Sequence, residues 1–366
     1  RIDLGIGQPD PALLPTEPVR RAVQHRLQRF DPEILQYGCE AGNGYFRTAL
    51  AEFLRHNGSG TVAPEGLMVT AGVTGSLEMI CTVLTRPGDT IFVEEPTYFL
   101  ALRLFADRHL NLVGVPTDEH GLIIEALEAR LAEVRPAFLY TMPVYHNPAG
   151  VTLCESRRHK LLALSRSHEF IIVADEVYQF LAYAAPPPPP LASLAGADRV
   201  LSLGSFSKIL APGLRLGWIQ TPRKYIDQFT ASGVLLSGGG QNPFTAAMVQ
   251  SALELGLQQQ YLNHLIDVYR RRAGALVDAL RRHLPDSVSF HPPEGGYFVW
   301  LRLPPGVDAY RLLNAARKAG VGFQPGVRFT PARDKENYLR LCFVHYGEKN
   351  LWEGARRLGR LLRDLP

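Results

Sequence analysis

Ser205-Phe206-Ser207-Lys208-Ile209-Leu210-Ala211-Pro212-Gly213-Leu214-Arg215-Leu216-Gly217-Trp218 follows almost directly on the apolar run Val200-Leu201-Ser202-Leu203. A lysine just past the end of a buried strand needs an explanation. Its ammonium is costly to desolvate unless it is paired or reacts as a neutral amine. Ser205 and Ser207 stand beside it, and Arg215 lies seven positions on. Hydroxyls and a guanidinium together make a grip for a phosphate. A strand ending in a solvated turn would carry the same residues, so the decision rests on what the neighbouring strand ends bring.

Similar short apolar runs precede this one: Leu67-Met68-Val69-Thr70, Thr90-Ile91-Phe92-Val93, Ala137 to Thr141 and Phe170 to Ala174. Segments of helical period lie among them, at Gly75 to Leu84, Leu122 to Val134 and Ser156 to His168. Strands that are apolar on both faces and spaced by helices predict an α/β fold with a mostly parallel sheet covered on both sides. Ligands of such sheets sit at the carboxyl ends of the strands. Farther on, the pattern predicts a long helix from about Tyr261, a hairpin from Val288 to Leu301, a helix around Tyr310 to Ala319 and a strand from Tyr338 to Phe343. This mixed pattern predicts a smaller α/β lobe joined by the N-terminal arm. The expected division is an arm over 1–30, a large domain over 31–258 and a small domain over 259–366.

Each strand end in the middle of the chain carries a polar residue. Asn147-Pro148-Ala149-Gly150 follows the Ala137 run, Asp175-Glu176-Val177-Tyr178 follows the Phe170 run, and Ser205 to Lys208 follows the Val200 run. The intervals are about one strand–helix unit each, so all three converge on one edge of the sheet. A buried aspartate there needs a cationic partner; taken alone, Asp175 would also suit a helix N-cap. A pyridinium nitrogen is such a partner, since a carboxylate keeps it protonated and makes the ring an electron sink. Combined with an amine and a phosphate grip, the set points to pyridoxal 5'-phosphate, which carries an aldehyde and a phosphate ester on one ring. Asn147 and Tyr178 suit the ring's phenolic oxygen. The small residues of Thr70 to Ser76, including Val73 and Thr74, let backbone N–H groups approach a phosphate at a helix N-terminus. Tyr98 suits either stacking on the ring or plain packing.

Bulk properties exclude other classes. At 366 residues, with 46% hydrophobic and 20% charged residues, the chain is an ordinary globular one, long enough for two domains. A formal charge of +4 with scattered Lys and Arg predicts no nucleic-acid partner. Arg270-Arg271-Arg272 and Arg281-Arg282 read as the wet face of a helix. Cys39, Cys81, Cys154 and Cys342 show no paired spacing, which fits a reducing cytoplasm and predicts no metal site. No apolar run reaches membrane-spanning length and no signal peptide is visible, so no membrane partner is expected. The chain begins at Arg1 rather than at methionine, which leaves an upstream segment open. Pro186 to Pro190 predicts a surface loop in extended polyproline form.

Taken in order, these motifs resemble the class I/II aminotransferases, the fold-type I pyridoxal-phosphate enzymes. The similarity is greatest to the branch with 2-aminoadipate and kynurenine aminotransferases and the aminotransferase-like regulators. It extends from Gly5-Ile6-Gly7-Gln8-Pro9-Asp10 through Leu35-Gln36-Tyr37-Gly38, Asn147 to Gly150, Asp175 to Tyr178, Ser205 to Trp218 and Pro293 to Phe298 to Leu339-Arg340-Leu341. The resemblance implies a large domain with a mostly parallel seven-stranded sheet plus a smaller α/β domain. It makes Lys208 the Schiff-base lysine and proton shuttle, Asp175 the partner of the ring nitrogen, and Asn147 and Tyr178 the partners of the ring oxygen. Ser205, Ser207 and Arg215 would hold the phosphate with backbone groups of Val73 and Thr74. Tyr37 resembles the tyrosine that reaches the neighbouring subunit's phosphate, which implies a homodimer with shared sites. Arg340 resembles the arginine that grips the substrate α-carboxylate, with Gly7 and Asn147 beside it. Val73-Thr74 departs from the Ser-Gln or Ala-Gln pair of many relatives. Ser237 to Asn242 is richer in glycine than the family pattern, as a mobile flap or a tight crossing would require.

The expected reaction is transamination from an L-amino acid to a 2-oxo acid in two half-reactions. Elimination, racemisation or decarboxylation at the same α-carbon would use the same ring-holding residues. An effector domain of a transcription regulator would also carry them. The side-chain pocket is expected to draw on Gly7 to Leu14 and on a second subunit, with Asp10 and Arg20 nearby. Those positions favour apolar, aromatic or medium-length donors.

Overall fold

Alternation of apolar residues decides how the large sheet is covered. In the strand Ile171–Asp175, Val173 faces one hydrophobic cluster while Ile172 and Ala174 face another. Helices Gly72–Leu84, Phe99–Asp107 and Arg223–Thr230 supply the first cluster with Leu77, Ile80, Phe105, Ile226 and Phe229. Helices Ile124–Glu133 and Glu155–Ser167 supply the second with Ile124, Leu127, Leu131, Leu161 and Leu162. The computed structural model, which describes residues 1–363, thus has a sheet buried between two helical layers.

Across that sheet the strands run Leu67–Thr70, Gly217–Gln220, Val200–Ser205, Ile171–Asp175, Phe138–Thr141, Thr90–Glu95 and Asn111–Asp118. The two-residue strand Gly121–Leu122 extends the last edge. The five strands from Val200–Ser205 to Asn111–Asp118 are mutually parallel, and Gly217–Gln220 is antiparallel to both its neighbours. The expected mostly parallel seven-stranded sheet is therefore present with one short addition. Two of its strands, Asn111–Asp118 and Gly217–Gln220, lie outside the runs read from the sequence. The first is a half-exposed strand interrupted by Gly114 and Pro116; the second is hidden inside the lysine motif.

A smaller antiparallel sheet has the order Ser289–Phe290, Phe298–Arg302, Tyr338–Cys342, Gln324–Pro325. Helices Leu257–His283 and Glu348–Arg363 pack together in this half of the molecule. Residues 364–366 of the expected small domain lie outside the described residues. The N-terminal arm divides its contacts. Ile2–Asp3 pairs in parallel with Val321–Gly322, and the Leu4 carbonyl accepts the Cys342 N–H. Helix Thr16–Leu27 instead lies on helix Pro243–Glu254, where Arg26 reaches Ser251 and Glu254.

One local expectation changes and two are made more definite. Arg270, Arg271, Arg281 and Arg282 are exposed, but Arg272 is buried. Helical period sets it on the stripe of Leu265, Val268, Tyr269 and Leu276. There it is neutralised by Asp10 at 2.7 Å and donates to the Val344 carbonyl. Next, the glycines after Ser237 form a tight crossing. A side chain at Gly240 would run into the Cys39 carbonyl, and one at Gly239 into that of Gly38. Finally, the polyproline segment is a loop at the surface, as expected, and it is tied down. Gln179 and the fully buried Arg158 donate to the carbonyls of Pro188 and Pro189. No helix among the described residues is long and apolar enough to cross a membrane.

Candidate active site

A cleft of about 470 Å³ opens at the carboxyl ends of the central strands. Gly7, Val73, Thr74, Tyr98, Asn147, Asp175, Tyr178, Ser205, Ser207, Lys208, Arg215 and Arg340 all line it. These residues come from separate stretches of chain: the large sheet brings most of them to one edge, while Gly7 comes from the N-terminal arm and Arg340 from the small sheet. Tyr37 is absent from the lining; it is 79% exposed on the outer surface.

Strand Ile171–Asp175 delivers Asp175 to the cleft floor. Oδ2 accepts a 2.8 Å hydrogen bond from the Tyr140 hydroxyl, while Oδ1 is buried without a partner. Burial pushes this carboxyl up to about 6, with Tyr140 and Lys208 pulling it back down. A buried carboxylate oxygen left unpaired costs on the order of 1–3 kcal/mol. A protonated ring nitrogen would relieve it, so the floor fits a pyridinium. Lys208 follows strand Val200–Ser205. Burial lowers its amine to about 8, with Arg340 and Arg215 acting in the same direction, against Cys342 and Asp175. Its Nζ lies 5.2 Å from the centre of the Tyr297 ring, and the Tyr297 hydroxyl donates to the Lys208 carbonyl at 3.2 Å.

One end of the cleft is shaped for an anion. Helix Gly72–Leu84 starts here with the free N–H groups of its first turn. Arg215, in the left-handed region at φ 47°, turns back over that turn. Its Nη2 donates to the Ala71 carbonyl at 3.2 Å and its Nη1 to Ser207 Oγ at 3.4 Å. Gly72, at φ +79°, permits the approach; a Cβ there would stand 2.9 Å from Arg215 Nη2. Gln241 Oε1 accepts the Ala71 N–H at 2.7 Å, and Asn242 Nδ2 donates to the Arg215 carbonyl. Ser205 Oγ is engaged by the backbone, accepting from Ser207 N and donating to Leu216 O. Ser205 therefore shapes the turn, while Ser207 and Arg215 face the anion end.

The other end is built around a buried guanidinium. Arg340, 3% exposed on the small sheet, stacks on the Phe298 ring at 3.9 Å. Its Nη1 donates to Asn147 Oδ1 at 2.9 Å and its Nη2 to the Gly5 carbonyl at 3.1 Å, while Nε has no partner. Gly7 lies against the same guanidinium and ring. Tyr178 is buried between the rings of Tyr297 and Phe298, at 5.1 and 6.0 Å. Burial raises the phenols of Tyr98 and Tyr178. Behind this wall His146 Nε2 lies 3.1 Å from Glu94 Oε2, and Glu94 also accepts from Thr141 and the Met142 N–H. Asp10 and Arg20 stand away from the cleft. Asp10 pairs with Arg272, and Arg20 pairs with Glu17 on an exposed helix face.

Sequence reasoning gave no role to Tyr140, Gln241, Asn242 or Tyr297. Tyr140 carried a usable signal, because a tyrosine inside a strand apolar on both faces needs a hydrogen-bond partner. Gln241 and Asn242 lay inside the glycine-rich segment that was singled out for its glycines alone.

Comparison with known proteins agrees with this chemistry. The family described as Aminotransferase class I and II matches residues 1–358. An aromatic-amino-acid aminotransferase from Thermococcus litoralis is 35% identical over 99% of this chain and 88% of its own length. A crystal structure of Pyrococcus horikoshii kynurenine aminotransferase in complex with PMP superposes with a TM-score of 0.92 at 33% identity, covering 99% of this chain and 91% of that one. The alpha-aminoadipate aminotransferase LysN from Thermus thermophilus, complexed with N-(5'-phosphopyridoxyl)-L-leucine, gives 0.89 at 31% identity over 99% and 92%. With its fold, its cofactor pyridoxal phosphate and its reaction so aligned, the chain belongs to the class I and II aminotransferases.

Proposed function

We propose that this aminotransferase draws its amino group from apolar or aromatic amino acids, with Lys208 as the reacting amine and Arg340 as the carboxylate grip. The observation that carries the donor preference is the accounting of cations in the cleft. Its lining holds Arg215, Arg340 and Lys208 as basic residues. Arg215 serves the phosphate, with Ser207 and the N–H groups of Val73 and Thr74, over the turn that Ser205 shapes. Arg340 forks onto the α-carboxylate, next to Gly7 and Asn147. No cation of this chain's lining then remains for an acidic donor side chain. Ile6, Tyr98, Phe99, Leu100, Met142 and Phe298 make much of the remaining wall apolar, with Gln8 and Gln324 as uncharged polar members.

Bound pyridoxal phosphate supplies an aldehyde for the amine and a ring that accepts the electron pair left at the substrate α-carbon. Asp175 would hold the ring nitrogen through Oδ1, Asn147 and Tyr178 would hold the ring oxygen, and Tyr98 would cover the ring. Lys208, once free, takes the α-proton at Nζ, for which an amine near 8 is well matched at neutral pH. A panel of donors, followed by conversion of the cofactor to its pyridoxamine form, tests the preference. Phenylalanine, tyrosine or leucine should convert it faster than aspartate, glutamate or 2-aminoadipate. Faster conversion by an acidic donor would overturn the reading.

The same proposal includes a homodimer with shared sites. Leu35, Tyr37, Tyr45, Val234, Leu236 and Phe244 are all exposed on segments that meet at the Gly38–Gly240 crossing. Such a concentration of large apolar side chains needs a partner surface. Mixing Lys208→Ala with Tyr37→Ala tests it, because a mixed dimer regains one complete site. About a quarter of the native turnover should return if subunits pair at random; no recovery in dimers that exchange subunits would count against sharing. We take 1–30 as the arm, 31–258 as the large domain and 259–366 as the small one, with helix Leu257–His283 as the joint. Four free cysteines support a cytoplasmic location.

A further inference from the structure

Tyr140 is the one side chain seen to hold the Asp175 carboxylate. Strand pairing explains how it gets there. Tyr140 is opposite Val173 in register, and Asp175, two residues on, projects from the same face. The diagonal neighbour is within reach of a long aromatic side chain. The Tyr140 ring is fully buried and clamped edge-on by Phe105, 5.4 Å away at 71°. Its hydroxyl is therefore delivered to Oδ2, which leaves Oδ1 of this cleft-lining residue without a partner. A hydroxyl donating to a carboxylate makes a charge-assisted bond that favours the ionised form.

We propose that Tyr140 is a positioning residue that keeps Asp175 ionised and oriented, so that the proton it shares with the cofactor's ring nitrogen rests on the nitrogen. This rests on the assignment of Asp175 to that nitrogen. Other titratable groups also act on the pair. Lys208 and His146 favour the ionised carboxylate, whereas Glu176, Tyr98 and Tyr178 share its surroundings as acids, and Glu94 stands near Tyr140. Because these groups are unchanged by substitution at 140, a shift on changing Tyr140 reports the single hydrogen bond.

The test uses the loaded enzyme with Tyr140→Phe, which keeps the ring and its contact with Phe105. Without the donor the shared proton moves toward the carboxylate, and the ring nitrogen loses positive charge. The Lys208–cofactor linkage then protonates more readily. Its visible-absorbance titration midpoint should rise by about 0.5–1 pH unit, and the dissociation constant of pyridoxal phosphate should rise about 3–10-fold. In an Asp175→Asn background the same change should move neither. A merely structural role would lower thermal stability without moving the midpoint, and that result overturns the proposal. Should the Phe variant fail to fold, fluorotyrosine at position 140 gives a stronger donor in the same shape. The midpoint should then fall, and an unmoved midpoint again overturns it. A native enzyme with no visible absorbance would instead count against the cofactor site itself.

Discussion

The two ends of the same parallel strands carry charge in opposite ways. At the amino ends, Arg135, Glu169, Arg199 and Lys224 surround a second cleft, of about 550 Å³. Three of these charges, Arg135, Arg199 and Glu169, satisfy one another. Arg135 and Arg199 both donate to the Glu169 carbonyl, at 2.9 and 3.2 Å, and both pair with its carboxylate. Glu169 and Arg135 are largely in water. Such exposed pairs contribute about 0–1 kcal/mol. At the carboxyl ends Asp175 and Arg340 are almost fully buried, yet Asp175 Oδ1 and Arg340 Nε lack partners. The cleft that gathers the residues singled out in the sequence is thus distinguished by polar atoms that burial leaves unsatisfied.

The strongest way to break this contrast is Lys208→Ala. Turnover should fall by about 10⁴-fold or more, with the visible absorbance of the Lys208 linkage lost and the melting temperature nearly kept. Full turnover would remove the chemistry from this edge. The pH dependence of cofactor capture sharpens the same point. A buried lysine lowered to about 8 is already about one-quarter neutral at pH 7.5, whereas an ordinary one near 10.4 is neutral about once in a thousand. Since only the neutral amine attacks, the capture rate of the apo-enzyme should rise with pH and level off above about 8. A rate still climbing steeply toward pH 10 would place Lys208 in a wetter setting than its burial implies.

Arg340→Ala comes next. On the proposed role it would remove the fork from the α-carboxylate and leave the Phe298 face bare, so kcat/KM for the amino donor should fall about 10²-fold, chiefly through KM. Arg215→Ala should act on the cofactor instead, weakening pyridoxal phosphate about tenfold while the helix N-terminus and Ser207 still hold the phosphate. A loss of donor affinity without loss of cofactor affinity in Arg215→Ala would exchange the two ends of the cleft.

Legibility followed periodicity and chemistry. Lys208, Asp175 and Asn147 stand where apolar runs stop, and Arg215 is in the same short motif as the lysine, so a reading of strand ends finds them. Strand Asn111–Asp118 escaped because a half-exposed edge strand with Gly114 and Pro116 has no clean alternation. Arg272 was misread because three consecutive arginines suggest a wet face, although helical period turns one of the three inward toward Asp10. Tyr140 and Gln241 could be assigned only with register and chain crossing in hand. Their partners, Asp175 and Ala71, are far away in sequence. Tyr37 is exposed in the single chain, so its proposed role in a shared site has no contact there to read.

The smallest expected effect tests the other side of the contrast. Arg199 is about one-quarter exposed, and it holds both the carbonyl and the carboxylate of Glu169, a residue itself in the left-handed region at φ 57°. Arg199→Ala removes both contacts, but Arg135 still donates to the same carbonyl and water reaches the carboxylate. The loss should stay within about 1 kcal/mol, a fall of under about 2 °C in melting temperature for a chain of this size. The screened part should vanish in the native protein at about 0.5 M salt, where the two proteins should converge. Turnover and cofactor affinity should be unchanged, because the strand interiors between the two edges are buried apolar chain that offers no charge to relay a shift. A change of more than about threefold in either quantity would mean that the amino edge is coupled to the reacting one. The division of the sheet into a satisfied edge and an unsatisfied edge would then fail.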